Sequence, residues 1–432
     1  MTRRNRERTR ELESKLKRLL RLFYSRPKET FRRGTTKIPL SILPYDWHEA
    51  FAALECILSG WLTQGQMVQM FERDFASYIG VKNGIMVNSG SSANLLALSV
   101  LTNRKLRKRM KPRDEIITPA VTWATTVYPI ADVGAVPVLI DVDLETYNMS
   151  LPELEKAVGK RTRAIMPVHL LGNPCEMDEI MRVASEHDLF VIEDACEAHG
   201  AEFRQKKVGS FGDLSTFSFF VSHHITTIEG GIILTNDENY ADMLRGFREF
   251  GWIRHLRHRK EIARKYPNID ERYLFVERGY NLRATEIQAA FGLQQIPRLE
   301  RFISIRRDNA RYWTNRLKQY SELFILPNER PGTRHVWFGY PLTVKPDAPF
   351  TMKELVRYLE SRKIETRPIM AGNIEEQPVM SKIRHRKVGS LKNARTIMRN
   401  SFFFGNHVGI GAQERKYVAD SLENFIQKYT RR

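Results

Sequence analysis

A chain of 432 residues with 42% apolar residues and a formal net charge of +19 is long enough for a large buried core and about two domains. No run approaches the ~18 apolar residues of a membrane span and no hydrophobic signal opens the chain. The three cysteines, Cys56, Cys175 and Cys196, are far apart and odd in number, which excludes a disulfide framework and fits a reducing cytoplasm.

The basic excess divides between residues 1–34, where 13 Lys/Arg against 4 Glu leave +9, and a general surplus. There is no nucleic-acid-binding motif and no dense interleaving of aromatic and basic residues, so nucleic acid is not an expected partner. Residues 1–37 read as a basic extension. Within it Leu12, Leu16, Leu19, Leu20 and Phe23 recur at helical spacing. Such a stripe suits a membrane surface, and more simply its own protein or a sister subunit.

From Ile38 onward the pattern predicts helices over 46–59 and 67–79, closed by Gly60 and Gly80, with a tight turn over 60–65. Strands over 84–88, 114–119, 136–143, 162–169 and 189–194 then alternate with helices, among them 151–158 and 177–186. That alternation argues a mostly parallel sheet with helices on both faces. Strands over 214–220 and 232–234 follow, then a helix over 240–250 and a basic, irregular stretch over 252–275. A long helix over 286–318, broken near Pro297, leads to a strand over 336–344 and helices over 351–362 and 412–429.

Three stretches gather polar residues at strand ends. Ser89-Gly90-Ser91-Ser92 enters a helix whose free N–H groups and dipole make a phosphate site, or simply a well-capped helix. Asp194 ends an apolar strand and is followed by Cys196, Glu197 and His199. A carboxylate at that edge of an open sheet stands where ligands bind, or caps a helix. The third stretch runs from Ser218 through His223, His224 and Glu229 to Gly230-Gly231. Neighbouring strand residues point apart and spaced zinc ligands are missing, so no metal is expected; the plain reading is a polar turn. Trp123, past the strand at 114–119, is core or ligand-facing. His169 lines a pocket or is a satisfied turn residue.

In their order these blocks resemble the DegT/DnrJ/EryC1/StrS sugar aminotransferases, which use pyridoxal phosphate. Those enzymes show Ser-Phe, three more residues, a lysine, then an acidic residue and Gly-Gly. Here Ser218 and Glu229-Gly230-Gly231 match, and the lysine position is His223. That substitution marks the branch of 3-dehydratases acting on nucleotide-linked 4-keto-6-deoxy sugars. The Trp-Leu-Thr-x-Gly pattern over 61–65, Phe71-Glu72 and Ala371-Gly372-Asn373 are similar to the same branch.

The resemblance covers roughly residues 38–430. It implies an α/β, pyridoxal-phosphate-dependent aminotransferase fold (fold type I). The expected organisation is the extension 1–37, a large cofactor-binding domain 38–290 with a seven-stranded, mostly parallel sheet, and a small C-terminal α/β domain 291–432. It further implies that Ser91, Ser92 and Ser218 hold the cofactor phosphate, Trp123 stacks on the pyridine ring and Asp194 pairs with its nitrogen. Glu197 stands where relatives usually carry glutamine, near the ring hydroxyl. Asn281 matches a residue that reaches the phosphate of the neighbouring subunit, hence a homodimer.

Imidazole forms no stable imine with the cofactor aldehyde, so pyridoxal 5'-phosphate is expected untethered and working as pyridoxamine 5'-phosphate. His223, with a free pKa of ~6.5, is then the base and proton donor, and His224 a structural residue. The implied reaction removes the C3 hydroxyl of a nucleotide-diphosphate 4-keto-6-deoxy sugar. L-glutamate gives the amino group, ammonia leaves, and the product belongs to dideoxysugar biosynthesis of the lipopolysaccharide O-antigen kind. No cysteine follows Cys196, so the [2Fe-2S] version of the branch is not expected. An ordinary sugar aminotransferase that has lost its lysine, and a non-catalytic relative binding through its basic arm, remain as other readings.

Overall fold

The computed structural model describes residues 3–25 and 30–430. Its centre is an eight-stranded sheet. In spatial order the strands are Asn83–Val87, Gly231–Thr235, Leu214–Ser218, Phe190–Asp194, Thr162–Ile165, Glu115–Pro119, Val136–Ile140 and Arg386–Lys387. Gly231–Thr235 runs antiparallel to both neighbours, and the other pairings are parallel. Apolar runs without alternation, such as Glu115–Pro119 and Phe190–Asp194, are buried along their whole length, as strands covered on both faces must be. Alternate residues serve opposite cores. Ile116, Ala164 and Ile192 pack with Leu96 of the helix Gly90–Leu101, while Ile117, Ile165 and Val191 pack with Ile180 and Val183 of the helix Met177–Glu186.

The expected seven strands are joined by an eighth from far downstream. Arg386–Lys387 adds beside Val136–Ile140. It has no apolar run to announce it, because Arg386 is held by charge and hydrogen bonds, at 2.8 Å from Glu115 Oε2 and 2.7 Å from the Ala157 carbonyl.

The first helices form as their caps dictate. Asp46 and Glu49 make a capping box on Trp47–Ser59, and Gly60 ends it at φ +74°, a conformation that favours glycine. The helix Arg3–Tyr24 lies against it, with Lys17 and Arg21 over the rings of Phe51 and Trp47 at 4.4 and 4.3 Å. The arm therefore packs on its own protein through one face, and leaves Leu12, Leu19, Leu22 and Phe23 exposed. Among the described residues no helix is long and apolar enough to cross a membrane.

Glu286–Gln295 and Leu299–Leu317 meet at a short 3-10 turn containing Pro297. They lead to a second, antiparallel sheet of Phe324–Ile325, Gly339–Val344, Ser401–Gly405 and Thr366–Pro368. Its core joins Trp313, Tyr340, Phe404 and Leu422. Ile38 belongs to the same cluster and donates its N–H to the Lys363 carbonyl at 2.8 Å. The strand expected over 336–344 starts only at Gly339, because Trp337 sits at φ +52° and breaks the run. The helix Lys392–Asn400 and the hairpin Glu202–Phe203/Lys206–Lys207 have no counterpart in the sequence reading.

Candidate active site

Four chain segments meet at the carboxyl edge of the central sheet. The first is the turn after Asn83–Val87. Ser89, in extended conformation, accepts Ser92 N–H at 3.1 Å and starts the helix Gly90–Leu101. The first-turn N–H groups that follow have no intrahelical acceptor. Gly90 lets this helix start close onto the strand ending at Ser218. A Cβ there would come within 2.5 Å of Ser218 Cβ and 3.2 Å of Cys196 Sγ. Gly231 does the same beneath it, since its Cβ would meet the Ser89 carbonyl at 2.3 Å.

The second segment supplies the floor. Asp194 ends its strand nearly buried, and Asn94 Nδ2 and Thr126 Oγ1 both donate to its Oδ2, at 3.0 and 2.8 Å. Cys196 N–H donates to Oδ1 at 3.2 Å. Thr216 Oγ1 in turn holds Asn94 Oδ1 at 2.6 Å, so the carboxylate is fixed by a connected set of side chains. The third segment places Trp123 just before the helix Ala124–Asp132. Its indole is 58% exposed, a large apolar face left bare on the wall of a cavity.

Glu197 follows two residues of turn after that floor. Its carboxyl group accepts Leu171 N–H at 2.7 Å and lines the cavity. Burial is the main cause that pushes its pKa up to about 8, and the Asp194 charge adds to it. At neutral pH Glu197 is thus a protonated donor, able to do what a glutamine amide does at the same place. The folded protein keeps a proton between the ordinary value of 4.5 and about 8 that the unfolded chain has lost, so stability falls as pH rises through this window. Glu197→Gln is expected to gain stability over the native chain progressively between pH 5 and 8, by a few kcal/mol at most. Melting curves across pH test this, and a constant difference between the two proteins would contradict it.

The fourth segment carries His223. Its backbone N–H closes a turn on the Phe220 carbonyl at 3.0 Å. Its ring lies 5.2 Å from that of Phe338 and 5.9 Å from that of His199. Nδ1 is buried without a partner, which leaves Nε2 as the nitrogen open to the cavity. Burial, with a contribution from the Arg306 charge, lowers its pKa to about 3. The ring is therefore wholly neutral near pH 7, beyond the partial neutrality a free imidazole has.

A cavity of about 600 Å³ unites Ser91, Trp123, Asp194, Glu197, Ser218 and His223. Ser92 does not line it, because its N–H and hydroxyl are both engaged by Ser89 in the helix cap. Asn281 does not line it either: it is exposed on a separate loop, accepting Arg283 Nε at 3.1 Å. His169 is a core residue, between Cys175 N–H at 3.0 Å and Glu193 Oε2 at 3.2 Å, and His224 is buried on the Val336 carbonyl. Sequence reasoning passed over Asn94, Thr126, Phe338 and Arg367, all at the cavity. Asn94 had a signal, as a lone amide on an otherwise apolar helix face.

These groups fit pyridoxal phosphate: a helix start and two hydroxyls for a phosphate, a bare indole for a ring, a fixed carboxylate for a ring nitrogen and a protonated carboxyl for a ring oxygen. The comparisons agree with that fit. The model of the DegT/DnrJ/EryC1/StrS aminotransferase family matches residues 46–423. A dTDP-4-dehydro-2,6-dideoxy-D-glucose 3-dehydratase of Saccharopolyspora spinosa is 40% identical, covering 94% of this chain and 90% of the relative. A GDP-4-keto-6-deoxy-D-mannose 3-dehydratase of Escherichia coli O55:H7 is 38% identical over 85% of this chain and 95% of its own. Among solved structures, a GDP-4-keto-6-deoxymannose-3-dehydratase with a trapped PLP–glutamate geminal diamine superposes with a TM-score of 0.82 at 36% identity, covering 89% of this chain and 100% of that one.

Proposed function

Since this chain belongs to the DegT/DnrJ/EryC1/StrS aminotransferase family, we propose that it is the pyridoxal-phosphate-dependent enzyme that removes the C3 hydroxyl of a nucleotide-linked 4-keto-6-deoxyhexose. The observation that carries this reading is the cavity's one basic ring. His223 opens Nε2 onto it, and no lysine is among the lining residues described. The pyridoxal or pyridoxamine phosphate, when bound, supplies an electron sink and an amine that engages the sugar's C4 carbonyl.

The chain's own residues do the rest. The helix start at Gly90, with Ser91 and Ser218, holds the phosphate. Trp123 fixes the ring plane, Asp194 keeps the ring nitrogen protonated, and Glu197 donates its proton to the ring oxygen. His223 takes a proton at Nε2 from the carbon bearing the amine and returns one later. Arg367, which lines the cavity, is available for an anionic group of glutamate or of the diphosphate.

The balance needs no outside reductant. Glutamate becomes 2-oxoglutarate and ammonia, and the two electrons it gives up replace the C3 hydroxyl by hydrogen. Family relatives named for GDP-linked and for dTDP-linked sugars make the nucleotide part of the test. Protein, pyridoxal phosphate and glutamate are mixed with GDP-, dTDP- or CDP-linked 4-keto-6-deoxyhexose, without reductase. A 3-deoxy product formed one-to-one with 2-oxoglutarate is expected from one of them. Turnover that requires a reductase would overturn the redox-neutral reading.

We also read Asn281 as serving a neighbour's cavity, because it is exposed and outside its own. A homodimer in sedimentation is the expected result, and a monomer at micromolar concentration would exclude that role.

A further inference from the structure

Arg306, on the helix Leu299–Leu317, is buried, and among the described residues it makes no ion pair. Buried charges are normally paired, because leaving water costs them far more than it costs a neutral group. Burial is the one cause that moves the pKa of this guanidinium, down to about 9. The group is therefore still charged near pH 7, and its partners are backbone carbonyls. Nη1 donates to the Phe338 carbonyl at 2.9 Å and to the Asn406 carbonyl, with the Trp337 carbonyl at 3.4 Å. Asn406, just past the strand Ser401–Gly405, donates back from Nδ2 to the Arg306 carbonyl at 3.0 Å.

The carbonyls so held follow a strained residue. Trp337 stands at φ +52°, a left-handed conformation that is costly for a bulky side chain and persists only where its surroundings hold it. Facing it, Leu171 stands at φ +54°. Two hydrogen bonds join these turns, from Val336 N–H to the Gly172 carbonyl at 3.0 Å and from Phe338 N–H to the Leu171 carbonyl at 2.8 Å. Both turns reach the site. Leu171 N–H donates to the Glu197 carboxyl group at 2.7 Å, and the Phe338 ring lies 5.2 Å from the His223 ring.

We propose that Arg306 is a positioning residue of the active site: by tying the Trp337 turn to the strand end at Asn406, it holds the Phe338 ring against His223 and the Leu171 amide on Glu197. On the reading that His223 is the base of the proposed reaction, loss of Arg306 slows proton transfer more than it weakens binding. An arginine that served stability alone would change the melting temperature and leave the rate per folded molecule as it was.

Arg306→Met keeps most of the side-chain length and removes the charge and the donors, while Arg306→Lys keeps a charged donor. Each is compared with the native protein in the half-reaction with glutamate, followed by stopped-flow absorbance at saturating pyridoxal phosphate. Arg306→Met is expected to lower the maximal rate roughly 10–100-fold, the scale on which a misplaced reacting group acts, with the half-saturating glutamate concentration little changed. Arg306→Lys is expected to recover most of that rate. Phe338→Ala is expected to be slow as well, and the double variant Arg306→Met/Phe338→Ala to lose clearly less than the product of the two single losses, because the two side chains act through one contact. Losses that multiply, or a methionine variant as fast as the native protein, would overturn the proposal. A crystal structure of the native protein, with and without pyridoxal phosphate, needs no variant. Arg306 is expected on the carbonyls of Phe338 and Asn406 in both, with Phe338 against His223; a guanidinium turned to a carboxylate or to the cofactor phosphate would overturn the assignment. Native protein that shows no half-reaction overturns the reaction reading instead, and the crystal structure then decides the placement of Phe338 by itself.

Discussion

Replacing His223 with asparagine is expected to lower turnover by about 10²–10⁴-fold, the usual contribution of a positioned general base. Asparagine keeps a polar group of similar reach beside Phe338 but takes no proton. Cofactor binding, followed by its absorbance, is expected to stay within a few-fold, because the phosphate, ring and nitrogen contacts are proposed to lie on Gly90, Trp123 and Asp194. The native profile has its own signature. With the His223 pKa lowered to about 3, protonation of the base removes activity only well below pH 6.5, so kcat is expected to show no acid limb near that value. An acid limb at 6.5 that vanishes in the asparagine variant would show that the bound cofactor resets this ring. Activity within a few-fold of native would place the base elsewhere.

Asp194→Asn is expected to cost about 10²–10³-fold in turnover, the range for losing one preorganised electrostatic group, and to weaken cofactor binding as well. The reason is in the partners. Asn94 and Thr126 both donate to Asp194 Oδ2. An amide in that place either sets its NH₂ against these donors or turns it toward the ring nitrogen. In both arrangements the charge proposed to keep that nitrogen protonated is gone. Stopped-flow absorbance of the half-reaction with glutamate separates the two losses. A variant that binds the cofactor normally and turns over at the native rate would remove Asp194 from the floor of the site.

Much of this site could be read from the chain, because each of its parts follows a strand whose apolar run is unmistakable. Asp194 and Ser218 end such runs, Ser89 follows one, and all stand on the sheet edge where the fold gathers them. His223 was legible through its spacing from Ser218 and from Gly230-Gly231. The residues that escaped are those whose role depends on where a distant segment arrives. Arg367 and Phe338 come from the second sheet region and reach the cavity only through the packing of that sheet. Ser92 shows the opposite limit. Two adjacent serines at a helix start look alike in sequence, yet the cap takes Ser92 and leaves Ser91 to the cavity. The pattern puts His169 at a strand end as it does Asp194, but the strand stops at Ile165 and the His169 ring is satisfied by Cys175 and Glu193. The strand Arg386–Lys387 is too short and too charged to be seen from periodicity.

In the proposed reaction the amino group passes through this cavity and leaves as ammonia. The most direct measurement gives the protein ¹⁵N-glutamate, pyridoxal phosphate and the 4-keto-6-deoxy sugar it consumes, and follows the label. For the dehydratase, ¹⁵N-ammonia equal to the sugar consumed is expected, with no nitrogen in the sugar product. Label retained on the sugar at C4, with little free ammonia, would contradict it and make this chain an aminotransferase working without its lysine.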